Sequence, residues 1–136
     1  VKASFIVEHG CGNGSLPRQL KPETFARYVG YDISAEAVLQ AKKANPNCEF
    51  YCQPMEAWQD ESKPVDLIIC KEVAYYLSEA DLRAFIQRAL AALKPGGRVI
   101  ITIHDPEKHS RTVAICRESG LEIFRSGQPT ILLAIR

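Results

Sequence analysis

A doubly wound α/β sheet, mostly parallel, is the fold class this sequence predicts, and three observations carry it. Short apolar runs alternate with amphipathic stretches, the pattern of strands returned by helices to one parallel sheet. The first apolar run ends in Glu8-His9 and opens into Gly10-Cys11-Gly12-Asn13-Gly14, where glycines permit a tight strand-to-helix turn. The last two strand-like runs, 121–125 and 130–135, are joined too closely for a crossover helix. They therefore pair antiparallel or lie apart.

The elements follow in order. Strand one is expected over 4–8, with a short helix over 15–20 limited by Pro22. Strand two covers 27–31. A helix over 35–44 has Ser34 as its N-cap, and Asn45-Pro46 ends it. Strand three covers 48–52. The polar stretch 53–63 is a loop with room for one helical turn. Strand four, 65–70, is a nearly unbroken apolar run, as in a strand covered on both faces. The clearest helix is 79–93. Ser78-x-x-Asp81 has the form of a capping box, with Asp for the usual Glu. Leu82, Phe85, Ile86, Ala89, Leu90 and Leu93 then recur at three- and four-residue steps and make one apolar face. Lys94-Pro95-Gly96-Gly97 stops this helix and turns the chain. Strand five covers 98–103, a helix spans 108–118 and ends at Gly120, and the two final strands turn at 127–129.

A chain of 136 residues suits one domain, 1–136. The net charge of +1 argues against a strong binder of phosphate backbones, so no nucleic acid is expected. No apolar run approaches the ~20 residues of a membrane span, and no secretory leader is visible. The five cysteines, an odd number, read as thiols in a reducing cytosol. Cys48 and Cys52 lack the further ligands of a zinc site, and no metal is expected. Strand one follows Val1 almost at once, which reads as a lost initiator Met or a chain cut from something longer.

The glycine loop reads E-x-G-x-G-x-G from Glu8 to Gly14. The dinucleotide fingerprint needs its third glycine where this chain has Ser15. Asp32 ends strand two about twenty residues past the loop, a position from which a carboxylate accepts hydrogen bonds from ribose hydroxyls. Strand four leads into Lys71-Glu72-Val73-Ala74-Tyr75-Tyr76-Leu77, and Leu93-Lys94-Pro95-Gly96-Gly97-Arg98 leads into strand five. In this order the motifs resemble those of the class I S-adenosylmethionine-dependent methyltransferases, from Phe5 to the end of the chain.

The resemblance implies a Rossmann-like sheet of seven strands, order 3-2-1-4-5-7-6, with one antiparallel strand from a C-terminal hairpin. It implies S-adenosyl-L-methionine as cofactor and S-adenosyl-L-homocysteine as product. By the same resemblance, Gly10, Cys11 and Gly12 offer backbone contacts to the methionine part and ribose. Glu8 organises the loop around the ligand's amino group, Asp32 holds the ribose, and Ile33 packs on the adenine. The family often has Asp shortly after strand three, where this chain has Pro54. Glu56 or a backbone carbonyl substitutes, and the Met55 amide is the candidate partner for a ring nitrogen. Lys71 joins these cofactor-binding candidates.

The string from Glu72 to Leu77 lacks the Asn-Pro-Pro-Tyr sequence of nucleobase amino methylases. It resembles the small-molecule subgroup, and within it the nodulation-type N-methyltransferases that act on an amino sugar of a lipo-oligosaccharide. Methyl transfer from a sulfonium is an in-line displacement in which placement and desolvation account for much of the acceleration. The catalytic candidates are Glu72, His104 and Tyr75. Glu72 takes the acceptor's proton or binds its ammonium form, and histidine at 104 is the residue type suited to general-base work. Tyr75 and Tyr76 wall the pocket. The same residues also read as a solvated carboxylate, a polar strand end and packing aromatics, while His9 and His109 read as structural or exposed. The expected function is methylation of a small-molecule nitrogen or oxygen acceptor in a cytoplasmic protein, with no membrane partner and an open oligomeric state. An RNA or protein methyltransferase and a cofactor-binding module without its own catalysis are the rivals. Ser15 and the terminal strand pair disfavour a nicotinamide dehydrogenase.

Overall fold

The computed structural model describes residues 3–59, 61 and 63–136; Asp60 and Ser62 of the expected 53–63 loop lie outside the described residues. The strands are β1 (Ala3–His9), β2 (Phe25–Asp32), β3 (Glu49–Cys52), β4 (Val65–Lys71), β5 (Leu93–Ile103), β6 (Glu122–Arg125) and β7 (Thr130–Ile135). They form one sheet in the order β3-β2-β1-β4-β5-β7-β6. β1 runs parallel to β2 and β4, β2 to β3, and β4 to β5. β7 is antiparallel to both β5 and β6, and the short connection between the last two strands accounts for the β6–β7 pairing. The strand order reverses between β1 and β4, and a crevice opens there beyond their carboxyl ends.

The helices are α1 (Ser15–Gln19), α2 (Ala35–Ala44), α3 (Glu79–Ala92) and α4 (Ser110–Glu118). Single tight turns occupy Pro22–Thr24, Met55–Ala57 and Ala74–Tyr76. Both expected caps form: Ser34 Oγ accepts from the Ala37 amide at 3.2 Å, and Ser78 Oγ from the Asp81 amide at 3.1 Å. Asn45 ends α2 and is buried; its side-chain amide donates to Ala41 O at 3.1 Å and to Gly14 O at 2.9 Å. The end of α2 is thereby tied to the glycine loop.

Side-chain alternation along the strands divides the core into two layers. Val7, Ile68, Cys70, Val99, Ile101 and Ile103 meet Leu82, Phe85 and Ile86 of α3 and Ile115 of α4. Ile6, Tyr28 and Phe50 meet Val38 and Ala41 of α2 on the other side. Each large apolar side chain fully removed from water contributes about 1.5–3 kcal/mol, which fixes the strand ends that carry the crevice.

The structure departs from the sequence reading in three places. First, α3 stops at Ala92, and Leu93 is already extended and registered beside Val65. Lys94-Pro95-Gly96-Gly97 therefore belongs to β5 rather than to a turn. The reason is a pairing distant in sequence: the Gly96 amide donates to Arg136 O, and the Arg136 amide to Gly97 O, each at 2.9 Å. Second, α4 begins at Ser110, two residues later than expected, because Asp105 first holds a turn through bonds from the Lys108 and His109 amides. Third, α2 covers β2 and β3, but beyond it Ile69, Ile100 and Thr102, with Leu16 and Pro129, line an open hollow of about 480 Å³. The other strand limits shift by one or two residues at their ends. No helix of the described residues is long and apolar enough to cross a membrane.

Candidate functional site

The three loop glycines serve three different purposes. All have positive φ: +79° at Gly10, +54° at Gly12 and +81° at Gly14. A Cβ at Gly10 would lie 2.5 Å from Val73 Cγ1 and 2.8 Å from Lys71 O, so this glycine lets the chain leaving β4 press on the end of β1. A Cβ at Gly14 would meet Asn45 Nδ2 at 2.4 Å. A Cβ at Gly12 would meet nothing within 4 Å. Only the middle glycine faces open space.

The loop amides point inward. Gly10 N–H and Cys11 N–H both donate to Tyr31 O, at 2.8 and 3.0 Å, and Gly12 N–H donates to Asp32 Oδ2 at 2.9 Å. A loop that cradles phosphate keeps such donors free for the anion; here the end of β2 consumes them. The expected contacts of Gly10, Cys11 and Gly12 to a ligand are thereby restricted to carbonyls and Cα surfaces. Asp32 Oδ1 accepts from the Ser34 amide at 2.9 Å. A carboxylate oxygen accepting one bond retains capacity for another, so Asp32 braces the loop and still presents acceptors to the crevice.

The crevice is a cleft of about 370 Å³. Asp32 and Ile33 form one side, and Gln53, Met55 and Glu56 after β3 form another. Val73, Tyr76 and Leu77 close it from β4, and His9, Gly10 and Tyr31 reach it from below. Ile33 is 75% exposed, an apolar side chain left in water at the rim.

A sequence model described as a methyltransferase domain matches residues 6–97, which include this loop, the cleft and both flanking strand ends. The chain belongs to the class I S-adenosylmethionine-dependent methyltransferase family. S-adenosylmethionine is the cofactor of that family. The chain is 33% identical over 108 residues to a trans-aconitate 2-methyltransferase of an Azoarcus species, covering 79% of this chain and 41% of that one. It is 31% identical over 116 residues to a ubiquinone biosynthesis O-methyltransferase of a Bradyrhizobium species, covering 81% and 44%. It spans less than half the length of these two curated relatives. The N-methyltransferase NodS of Bradyrhizobium japonicum, solved with S-adenosyl-L-homocysteine, shares the fold at a TM-score of 0.77 and 22% identity, covering 98% of this chain and 77% of that one.

Within this methyltransferase domain, four expected cofactor residues, Glu8, Cys11, Gly12 and Lys71, do not line the cleft. Glu8 and Ile6 share the α2 face of β1, because side chains on a strand alternate. Glu8 is fully buried, and Oε1 accepts from the Tyr28 hydroxyl at 2.5 Å while Oε2 has no partner. Burial pushes its carboxyl up to about 7, against the opposing pull of the Tyr28 bond and Lys71. The Cys11 side chain joins the same layer, and burial pushes its thiol up to about 12. Lys71 reaches Ser15 Oγ at 3.4 Å beside the open hollow. Asp32, Ile33, Met55 and Glu56 do come together at the cleft.

The structure brings Glu72 and His104 together at the rim of that hollow. Glu72 Oε1 accepts from the His104 amide at 2.6 Å, joining the ends of β4 and β5. Glu72 has φ +57°, the only non-glycine residue in this region among those described. Tyr75 lies one step away, stacked on His109 with ring centroids 4.0 Å apart. Tyr75, His104 and His109 line a second hollow, and Tyr76 is shared between it and the cleft. His109 is therefore half-buried under an aromatic ring. His9, read from sequence as structural or exposed, is buried and borders the cleft; the alternation that turns Glu8 away turns His9 toward it. Sequence reasoning also missed Glu61, which accepts from the Tyr31 hydroxyl at 2.5 Å and from Trp58 Nε1 at 3.0 Å.

Proposed function

We propose that residues 1–136 act as one domain that binds S-adenosylmethionine in the cleft and methylates a small-molecule nitrogen or oxygen acceptor beside Glu72 and His104. The observation that carries this reading is the polarity of the site. The Gly10, Cys11 and Gly12 amides are spent on Tyr31 and Asp32, while the carboxylates of Asp32 and Glu56 border the cleft. That arrangement suits a cationic nucleoside without phosphate and opposes a pyrophosphate. The cofactor supplies a methyl group already activated on a sulfonium.

Asp32 offers its remaining lone pairs to ribose hydroxyls, each charge-assisted bond contributing roughly 1.5–3 kcal/mol before ordering costs. Ile33 and Met55 supply apolar surface for the base. Glu72 takes the acceptor's proton or holds its ammonium. Its left-handed backbone supports this role, since such a conformation costs ~1–2 kcal/mol in a non-glycine residue and clusters at functional sites. His104 is the second proton-handling group, and Tyr75 orients the acceptor. The relatives' names include both O- and N-methyltransferases; the carboxylate at the hollow favours an amine. The five thiols, none in a disulfide, support a reducing compartment.

Thermal unfolding with and without S-adenosylhomocysteine, with NAD as control, tests the proposal. A ligand at a hundred times its Kd stabilises by ~2.7 kcal/mol, a shift of several degrees for a domain this size. A shift with NAD alone, or none with S-adenosylhomocysteine, overturns it.

A further inference from the structure

The fold leaves one tyrosine ring in water at the border of two cavities. Tyr76 is 78% exposed, and it lines both the cofactor cleft and the second hollow, of about 450 Å³. Its neighbours back it. Tyr75 stacks on His109, and Tyr76 leans on Tyr75 with ring centroids 4.7 Å apart and an interplanar angle of 51°. Three rings in series thus line the hollow, and the outermost keeps an open aromatic surface. The charge beside them is negative. Glu72 is held by the His104 amide, and His104 lines the same hollow. No ion pair of the described residues neutralises Glu72. Its field reaches these rings: the Tyr75 hydroxyl is raised above its ordinary value, first by burial and then by the Glu72 carboxylate. Asp105 and Lys108, one charge of each sign, also border the hollow and offset each other.

Resting on the proposed acceptor site, we infer that the second hollow binds an alkylammonium group, with Tyr76 as its aromatic face and Glu72 as its counter-charge. The acceptor is then an amine, and its methylated product is held by the same ring. An aromatic face attracts a cation within about 6 Å of its centroid, and methylated ammonium groups are the ligands best suited to such faces. A hydroxyl acceptor gains nothing from either group. The chemistry follows from the same two residues. Glu72 takes the proton of the bound ammonium. The freed nitrogen lone pair attacks the methyl carbon, the carbon–sulfur bond breaks with its electron pair left on sulfur, and the nitrogen becomes cationic again. Each added methyl gives the cation more apolar surface to set against the ring. Tyr76 lines both cavities, so it borders donor and acceptor together.

NMR titration of the S-adenosylhomocysteine complex with choline, and with dimethylbutanol as its uncharged isostere carrying carbon in place of nitrogen, tests the inference. Choline should bind roughly five- to thirtyfold more tightly than the isostere, the range of one cation–π contact. Its methyl protons should move upfield over the ring. Tyr76→Leu should abolish the preference, and Tyr76→Phe, which keeps the aromatic face, should retain it within about twofold. Glu72→Gln should weaken choline and leave the isostere unchanged. Tyr76 stands in water, so both variants at this position should unfold at the wild-type temperature. Equal affinity of the wild type for the two probes, no binding of choline, a preference that survives in Tyr76→Leu, or unchanged choline affinity in Glu72→Gln overturns the inference and leaves the cofactor site standing. So does a Tyr76→Leu variant that binds choline as the wild type does but loses affinity for S-adenosylmethionine relative to S-adenosylhomocysteine, which assigns the ring to the sulfonium. Failure of the wild type to bind S-adenosylhomocysteine instead removes the cofactor site, and this inference with it.

Discussion

Replacing Glu8 by Gln should change how stability depends on pH, and the size of the change follows from two neighbouring residues. In the fold the Glu8 carboxyl is raised from its ordinary 4.5 to about 7, mainly by burial. Its contribution to stability is therefore full below about pH 4.5 and is lost as pH rises through 7. A gap of one pH unit between the folded and unfolded titrations is worth ~1.36 kcal/mol, so the raised carboxyl contributes about 3 kcal/mol. His9 behaves oppositely: its pKa falls from 6.5 to about 3, so its contribution is present above 6.5 and is lost as pH falls through 3. Between 4.5 and 6.5 the unfolded chain carries a proton on His9 and the folded chain carries one on Glu8. Folding then moves a proton one residue along with no net uptake, and the pair's two slopes cancel. Glu8→Gln keeps an oxygen for the Tyr28 hydroxyl but removes one slope. Relative to the wild type, the variant should gain ~1.4 kcal/mol per pH unit across this window. Urea unfolding at intervals from about pH 4.5 to about pH 7.5 reads the difference directly, because every other titrating group is common to both proteins. Parallel stability curves would refute the reasoning.

Gly10→Ala and Gly12→Ala should separate packing from binding. The first sets a Cβ against Val73 and the Lys71 carbonyl and should cost ~2–4 kcal/mol by urea unfolding, combining overpacking with left-handed strain. The second meets nothing within 4 Å and should cost only ~1–2 kcal/mol, while weakening S-adenosylhomocysteine binding measured by calorimetry. Asp32→Asn should raise the Kd for S-adenosylhomocysteine at least about tenfold, the loss of one charge-assisted bond; unchanged affinity would remove Asp32 from the ribose site. Glu72→Gln should leave that Kd unaltered and lower methyl transfer to an identified acceptor by roughly a hundredfold or more; intact turnover would end the proposed proton role.

The glycine loop and Asp32 could be read from the chain because the information was local, whereas the sheet order came only with the family resemblance. Glycines at fixed spacing, an acidic residue after a strand and a three-four apolar repeat each declare themselves within a few residues. The start of β5 could not be read this way, because the path of Lys94-Pro95-Gly96-Gly97 is set by hydrogen bonds to Arg136. The two faces of β1 were a different matter. Glu8 announces itself as acidic beside a glycine loop, yet strand alternation sends it to Tyr28 and gives the cleft to His9. That parity was present in the run Ile6-Val7-Glu8-His9, but assigning its phase needs to know which face carries α3. Glu72 and His104 were both legible as strand-end polar groups. Their bond was not, since it depends on the register of β4 against β5.

The contact between Gly10 and Val73 has a mechanical consequence. Through it and the neighbouring Lys71 carbonyl, the loop that would cradle the methyl donor and the turn that would present the acceptor are packed against each other. Neither can drift without dragging the other. In-line transfer tolerates little error in the separation of its reacting atoms, and under the proposed function that separation would be gauged by the packing of Gly10 against the Val73 side chain and the Lys71 carbonyl.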